Sequence, residues 1–243
     1  LLEADGTVVL ESRRMKYDTV VIAIGSCAND FGTPGVKEYC MSIDNLVEAN
    51  AFNEKFRMEL LRAFANTSEL DIAIVGGGAT GVQLAAELHK ALEIVGPYNL
   101  HAFGKAPPKL HVTLLQSGPR ILPAFPESVS AAAQKELEHI GVTVQTNARV
   151  AGADAHGFIL KDGSYVPAKL RVWAAGVKAP EVTTAYGGLT INRTGQILVN
   201  PNLSSIDDER IFALGDCSFI QDDPLPAPAQ VARPDGRRVG KGV

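Results

Sequence analysis

Apolar positions along this chain follow two rhythms, and their alternation predicts its elements. Ile72, Ala73, Ile74 and Val75 form an unbroken apolar run with β-branched residues, as in a strand covered on both faces. Beyond a glycine-rich turn, Val82, Leu84, Ala85, Ala86 and Leu88 recur at helical spacing, and that helix is expected to stop near Val95, at Gly96-Pro97. Upstream, Tyr17–Gly25 reads as a buried strand. Asp44 is the expected cap of a helix over Asn45–Ala65, whose apolar stripe is Leu46, Phe52, Phe56, Leu60, Leu61 and Phe64. Downstream, Tyr98–Lys109 has loop character and His111–Gln116 reads as a strand. A turn at Gly118-Pro119, a helix over Glu127–Ile140 and a strand at Val142–Gln145 follow.

The pattern then shortens. Arg149–Leu160 predicts two strands around Ala155-His156-Gly157, and Lys161–Ser164 is a further hairpin turn. Leu170–Ala174 is another buried strand, followed by Ala175-Gly176, and Ile197–Val199 and Arg210–Leu214 are the last strand candidates. At the other end, Leu1–Leu10 predicts two strand pieces around Ala4-Asp5-Gly6, and Arg13, Arg14 and Lys16 read as a solvated face. Asp222–Val243, rich in Pro, Gly and Arg, shows no apolar periodicity and is expected to be poorly ordered. A β-α-β core with an antiparallel insertion and a return strand implies an α/β three-layer, Rossmann-like domain with a parallel central sheet. Such a sheet binds nucleotides at the carboxyl ends of its strands.

Composition changes this picture little. The 243 residues are 46% hydrophobic and 21% charged, with a net charge of −4 that gives no reason to expect nucleic acid. No apolar run reaches the roughly 18 residues of a membrane span. Cys27, Cys40 and Cys217 stand apart without a C-x-x-C, so they read as small buried residues in a reducing compartment rather than a redox pair or metal ligands. His89 and His111 read as surface or packing residues. The first residue is Leu1, not Met, and the sequence is read as a segment of a longer protein.

The candidate chemistry lies in the turn. Gly76, Gly78 and Gly81 match G-x-G-x-x-G in the context that makes the match specific: a strand before, a helix after. Residues without Cβ permit the sharp turn, the approach of a diphosphate and close helix packing, while the helix N-terminus offers N–H groups to phosphate. Gly76, Gly77, Gly78, Ala79, Thr80 and Gly81 are therefore candidate dinucleotide-binding residues.

Several stretches together resemble the two-dinucleotide-domain flavoproteins of the pyridine nucleotide-disulfide oxidoreductase superfamily, and among them the type II NADH dehydrogenases. They are YDTVVIAIGS (Tyr17–Ser26), GGGATGVQLAAEL (Gly76–Leu88), SGPRILPAF (Ser117–Phe125), VWAAGVKAP (Val172–Pro180) and FALGDC (Phe212–Cys217). The resemblance implies an FAD- and NADH-binding oxidoreductase with quinone as final acceptor. It implies that NADH passes hydride to the flavin with no catalytic acid, base or nucleophile from the chain, and that no metal takes part. By order the single glycine turn is the family's second, so the FAD fingerprint is expected before Leu1 and the flavin site here is incomplete. The segments expected on this basis are a flavin-domain remnant at 1–26, an NAD(P)H-binding domain at 27–190, a flavin-domain return at 191–220 and an irregular tail at 221–243.

The resemblance further assigns Gly25, Gly215 and Asp216 to the flavin, although an Asp in that place also serves to cap a turn, and it adds Ala175 and Gly176 to the cofactor-binding set. Two positions depart from the pattern. Gln83 and Gln116 stand where the family usually has acidic residues, the first near flavin and quinone, the second on the adenosine 2′-OH. A neutral Gln116, with Arg120 nearby in sequence, leads to the expectation that NADPH is tolerated alongside NADH. Ala229-Gln230 matches only the start of the family's quinone motif. Membrane contact, on the cytoplasmic face of the inner membrane, is expected only through a C-terminal region beyond this chain, and a homodimer is allowed for. The competing readings are another NAD(P)H:acceptor flavoprotein reductase of the superfamily, or a nucleotide-binding sensor without electron transfer.

Overall fold

Two hydrophobic clusters with no residue in common underlie the fold. They correspond to two compact units, Leu1–Asn29 with Val177–Val243, and Asp30–Gly176. The computed structural model describes residues 2–3, 7–9, 14–66, 68–103 and 109–220. The turn expected at Ala4-Asp5-Gly6, Arg13, the tail from Asp222 and the Ala229-Gln230 pair lie outside these.

The chain begins in the first unit with an antiparallel sheet of β1 (Leu2–Glu3), β2 (Thr7–Val9) and β3 (Arg14–Lys16), followed by β4 (Val20–Ile22) and β5 (Cys27–Ala28). Arg14 and Lys16, expected on a solvated face, belong to a strand.

The second unit opens with α1 (Val36–Tyr39) and α2 (Leu46–Asn66). Asn45, rather than the expected Asp44, supports the start of α2: its Oδ1 accepts the Glu48 N–H at 3.0 Å, while Glu48 Oε2 accepts the Asp44 N–H at 2.9 Å. Asp44 lies one residue too early for its side chain to take that amide. Phe52, Phe56, Leu60 and Phe64 form the buried stripe of α2; Leu46 and Leu61, 75% and 59% exposed, fall outside it.

Then come β6 (Leu70–Val75), α3 (Ala79–Phe103), β7 (Leu110–Leu115), α4 (Glu127–His139) and β8 (Thr143–Gln145). An antiparallel insertion, β9 (Val150–Ala153), β10 (Gly157–Leu160) and β11 (Tyr165–Pro167), precedes β12 (Leu170–Trp173). The central sheet is wholly parallel in the order β12-β6-β7-β8. Ile72 and Ile74 join the cluster with α2 and α3, while Ala73 and Val75 on the alternate face are buried too, which accounts for the unbroken run. The expected stop of α3 at Val95 is corrected: the helix continues through Gly96-Pro97 to Phe103 and absorbs residues expected as loop. A proline inside a helix removes one N–H and crowds the preceding turn, which is the reason for the expected stop, and α3 runs through it nonetheless.

The return to the first unit runs through β13 (Val177–Lys178), β14 (Ile197–Val199), β15 (Ile211–Ala213) and β16 (Ser218–Ile220). β13 pairs antiparallel with β5, whereas β14 pairs parallel with β16 and β15 with β4. The run expected as one buried strand from Tyr17 to Gly25 condenses to β4, with Val21 49% exposed, because β15 is its one partner among the described residues. The units divide at Asn29/Asp30 and Gly176/Val177, where the sequence reading set residues 27 and 190. Among the described residues, no helix is long and apolar enough to cross a membrane.

Candidate dinucleotide site

Strand β6 is followed by Gly76, whose N–H donates to the Leu115 carbonyl at 2.8 Å and whose φ is +116°. A side chain there would also collide: a β-carbon would lie 2.5 Å from the Ala174 carbonyl oxygen. Gly81 is required for a different reason. Its β-carbon would lie 2.0 Å from the Gly76 carbonyl oxygen, so the first turn of α3 rests directly on the glycine turn. Gly78 faces open space, with nothing within 4 Å of a β-carbon. The Val82 N–H donates to the Gly78 carbonyl at 3.0 Å, and the amides of Ala79, Thr80 and Gly81 precede that bond without intrahelical acceptors.

A second layer holds the turn in place. Gln116, just past β7, accepts the Gly77 N–H on Oε1 at 3.0 Å and donates from Nε2 to the Arg120 carbonyl at 3.2 Å. Leu122 donates its N–H back to the Gly77 carbonyl at 2.6 Å, and Ile121 is fully buried beneath. Arg120, expected from sequence to attract a 2′-phosphate, is instead engaged by the chain's own carbonyls. Its Nη1 donates to the carbonyls of Phe125 at 2.9 Å and Leu122 at 3.3 Å, and its Nη2 to that of Pro123 at 2.9 Å. The Ser117–Phe125 stretch is thus a brace for the glycine turn.

Beyond the carboxyl ends of β6, β7 and β12 opens a cleft of about 530 Å³. Gly76, Gln116 and Ala175, all expected from sequence, line it, together with Trp173, Arg149 and Lys161, which were not. Gly77, Gly78, Ala79, Thr80 and Gly81, also expected from sequence, are not among its lining residues, nor are Gln83, exposed on α3, and Gly176, which ends the second unit. Arg149 and Lys161 come from the edges of the antiparallel insertion, where no local motif announces them.

In the first unit, Gly25-Ser26 and Gly215-Asp216 follow the paired parallel strands β4 and β15 at the same end. Asp216 Oδ2 accepts the Ser26 hydroxyl at 2.7 Å, and its main-chain carbonyl accepts Gln196 Nε2 at 2.9 Å. Gly25 leaves open space where a β-carbon would stand. None of the three cysteines is in a disulfide. Burial pushes the Cys40 thiol up to about 11, against the nearby Arg171 charge, and raises that of Cys217 as well. Neither is poised as a thiolate.

Residues 2–236 match the pyridine nucleotide-disulphide oxidoreductase family. The chain belongs to that family. It is similar to type II NADH:quinone oxidoreductases of Haemophilus influenzae, at 40% identity over 98% of this chain, and of Staphylococcus saprophyticus, at 29% over 93%. It spans 58% of the length of each of these relatives. Among solved structures, NDH2 from Plasmodium falciparum in complex with NADH shares the fold, with a TM-score of 0.69 and 23% identity over 86% of this chain and 45% of that one. An FAD-dependent member of the family from Desulfovibrio vulgaris gives 0.65 and 25% over 100% and 59%.

Proposed function

We propose that this chain is the NADH-binding part of a flavin-dependent NADH:quinone oxidoreductase, and that its first unit contributes segments to the flavin site. The observation that carries this reading is the cleft at the carboxyl ends of a parallel sheet, lined by Gly76, the first glycine of a strand–glycine turn–helix. The likeness to type II NADH:quinone oxidoreductases over almost the whole chain supports it.

The residues fit the groups they would hold. Gly78 leaves room for a diphosphate, and the amides of Ala79, Thr80 and Gly81 offer it donors at a helix N-terminus. Val75, Leu115 and Trp173 give the cleft apolar walls that keep water from the bound nucleotide. Asp216 Oδ1 takes no hydrogen bond from a described residue and suits a ribityl hydroxyl, while Gly25 and Gly215 permit close approach of the flavin to the backbone. When bound, a flavin supplies the acceptor of hydride from reduced nicotinamide and the donor of electrons to quinone. The chain's own work is to bind and orient, and no proton transfer at a side chain is required.

Trp173, the chain's single tryptophan, lines the cleft and is a built-in reporter. NADH should quench its fluorescence saturably, with a dissociation constant below about 1 mM, the upper end of common KM values. An emission that NADH leaves unchanged overturns the reading.

A further inference from the structure

We infer that the inserted antiparallel sheet, through Arg149 and Lys161, forms a binding surface for a 2′-phosphate on the adenosine ribose, so that the cleft accepts NADPH at least as readily as NADH. This rests on the reading of the cleft as a dinucleotide site.

The adenosine ribose of a dinucleotide lies at the end of the second strand of the parallel sheet, where an acidic side chain ordinarily accepts its 2′-OH. Here that strand is β7, and the residue after it is Gln116. Its carboxamide oxygen is already engaged by the Gly77 N–H. No carboxylate repels a phosphate at this point: of the described residues that line the cleft, Arg149 and Lys161 carry charge, both positive.

Backbone pairing holds these two cations next to Gln116. The Ala148 N–H donates to the Gln116 carbonyl at 2.9 Å, which sets Arg149 beside the end of β7. The Lys161 N–H in turn donates to the Arg149 carbonyl at 2.8 Å. Neither side chain has an ion-pair partner among the described residues, and both are exposed, so both charges are available to a ligand. A guanidinium and an ammonium at one rim suit a phosphate monoester, the first through paired N–H donors and the second as a point charge. Arg120, closer in sequence, is spent on carbonyls and takes no part.

The test is calorimetric titration of this chain with adenosine 2′,5′-bisphosphate and with 5′-AMP, which needs neither flavin nor turnover. The bisphosphate should bind at least as tightly as 5′-AMP, and its affinity should fall more steeply with added salt. Gln116→Glu keeps an acceptor for the Gly77 N–H and should lower the bisphosphate-to-monophosphate affinity ratio about tenfold. The double substitution Arg149→Ala/Lys161→Ala, at exposed positions, should lower that ratio by a similar factor without unfolding the chain. A tenfold preference of the unaltered chain for 5′-AMP overturns the inference, as does an unchanged ratio in the double variant. Binding of neither nucleotide overturns the dinucleotide reading and this inference with it.

Discussion

At the scale of single residues, three glycines in one turn do three different jobs. Gly76 has a backbone angle that disfavours a side chain, Gly81 has the Gly76 carbonyl where its β-carbon would be, and Gly78 has nothing. The last two can be separated by experiment. Gly81→Ala forces the helix off the turn and should cost about 1–3 kcal/mol of stability, as overpacking does. Gly78→Ala should leave the melting midpoint nearly unchanged, within about 0.5 kcal/mol, yet weaken NADH quenching of Trp173 tenfold or more by crowding the diphosphate. Full binding by the Gly78 variant would show that the open space there serves no ligand. The glycine spacing was legible in the sequence because each local geometry needs a particular residue type. Gln116 was legible as a departure, but not as the acceptor of the Gly77 N–H, since that bond joins residues 39 apart in the chain.

At the scale of elements, α2 is held against the sheet by more than its phenylalanine stripe. Glu59, 7% exposed, meets Arg62 Nη1 at 2.6 Å on its own helix and Lys169 Nζ at 3.1 Å just before β12. Burial by itself pushes its carboxyl up, but Lys169 and then Arg62 outweigh burial and hold it below its ordinary value. A depressed carboxyl stabilises the fold fully above its unfolded pKa, about 4.3, and loses that contribution as pH falls through the folded value. Glu59→Gln should therefore cost about 1–2 kcal/mol near neutral pH, a discounted figure because both cations are half-exposed. In thermal melts, the gap between the two proteins should close in acid. A gap that persists at low pH would assign the effect to packing instead. Periodicity revealed α2 itself but misplaced Leu46 and Leu61 on its buried face, since spacing alone does not say how wide a stripe the neighbouring sheet covers.

For the molecule as a whole, the separate cores carry a consequence. Each cluster draws only on residues of its own unit, so residues 30–176 contain a complete core, the parallel sheet and every described residue that lines the cleft. Expressed alone, this segment should melt cooperatively and retain NADH quenching of Trp173 within a few-fold of the full chain; a non-cooperative melt would show that the units depend on each other. Local chemistry determined much of this protein in advance: the strand–turn–helix at Asp71–Leu88, the parallel α/β architecture and the family, because turns, caps and hydrophobic rhythm act over a few residues. Only the tertiary structure decided what surrounds the turn. Arg120 became a brace and Arg149 and Lys161 became the charged rim, because which cation faces a cleft depends on how an inserted sheet folds back on the end of β7. That fold-back is a non-local contact, and no spacing within the chain encodes it.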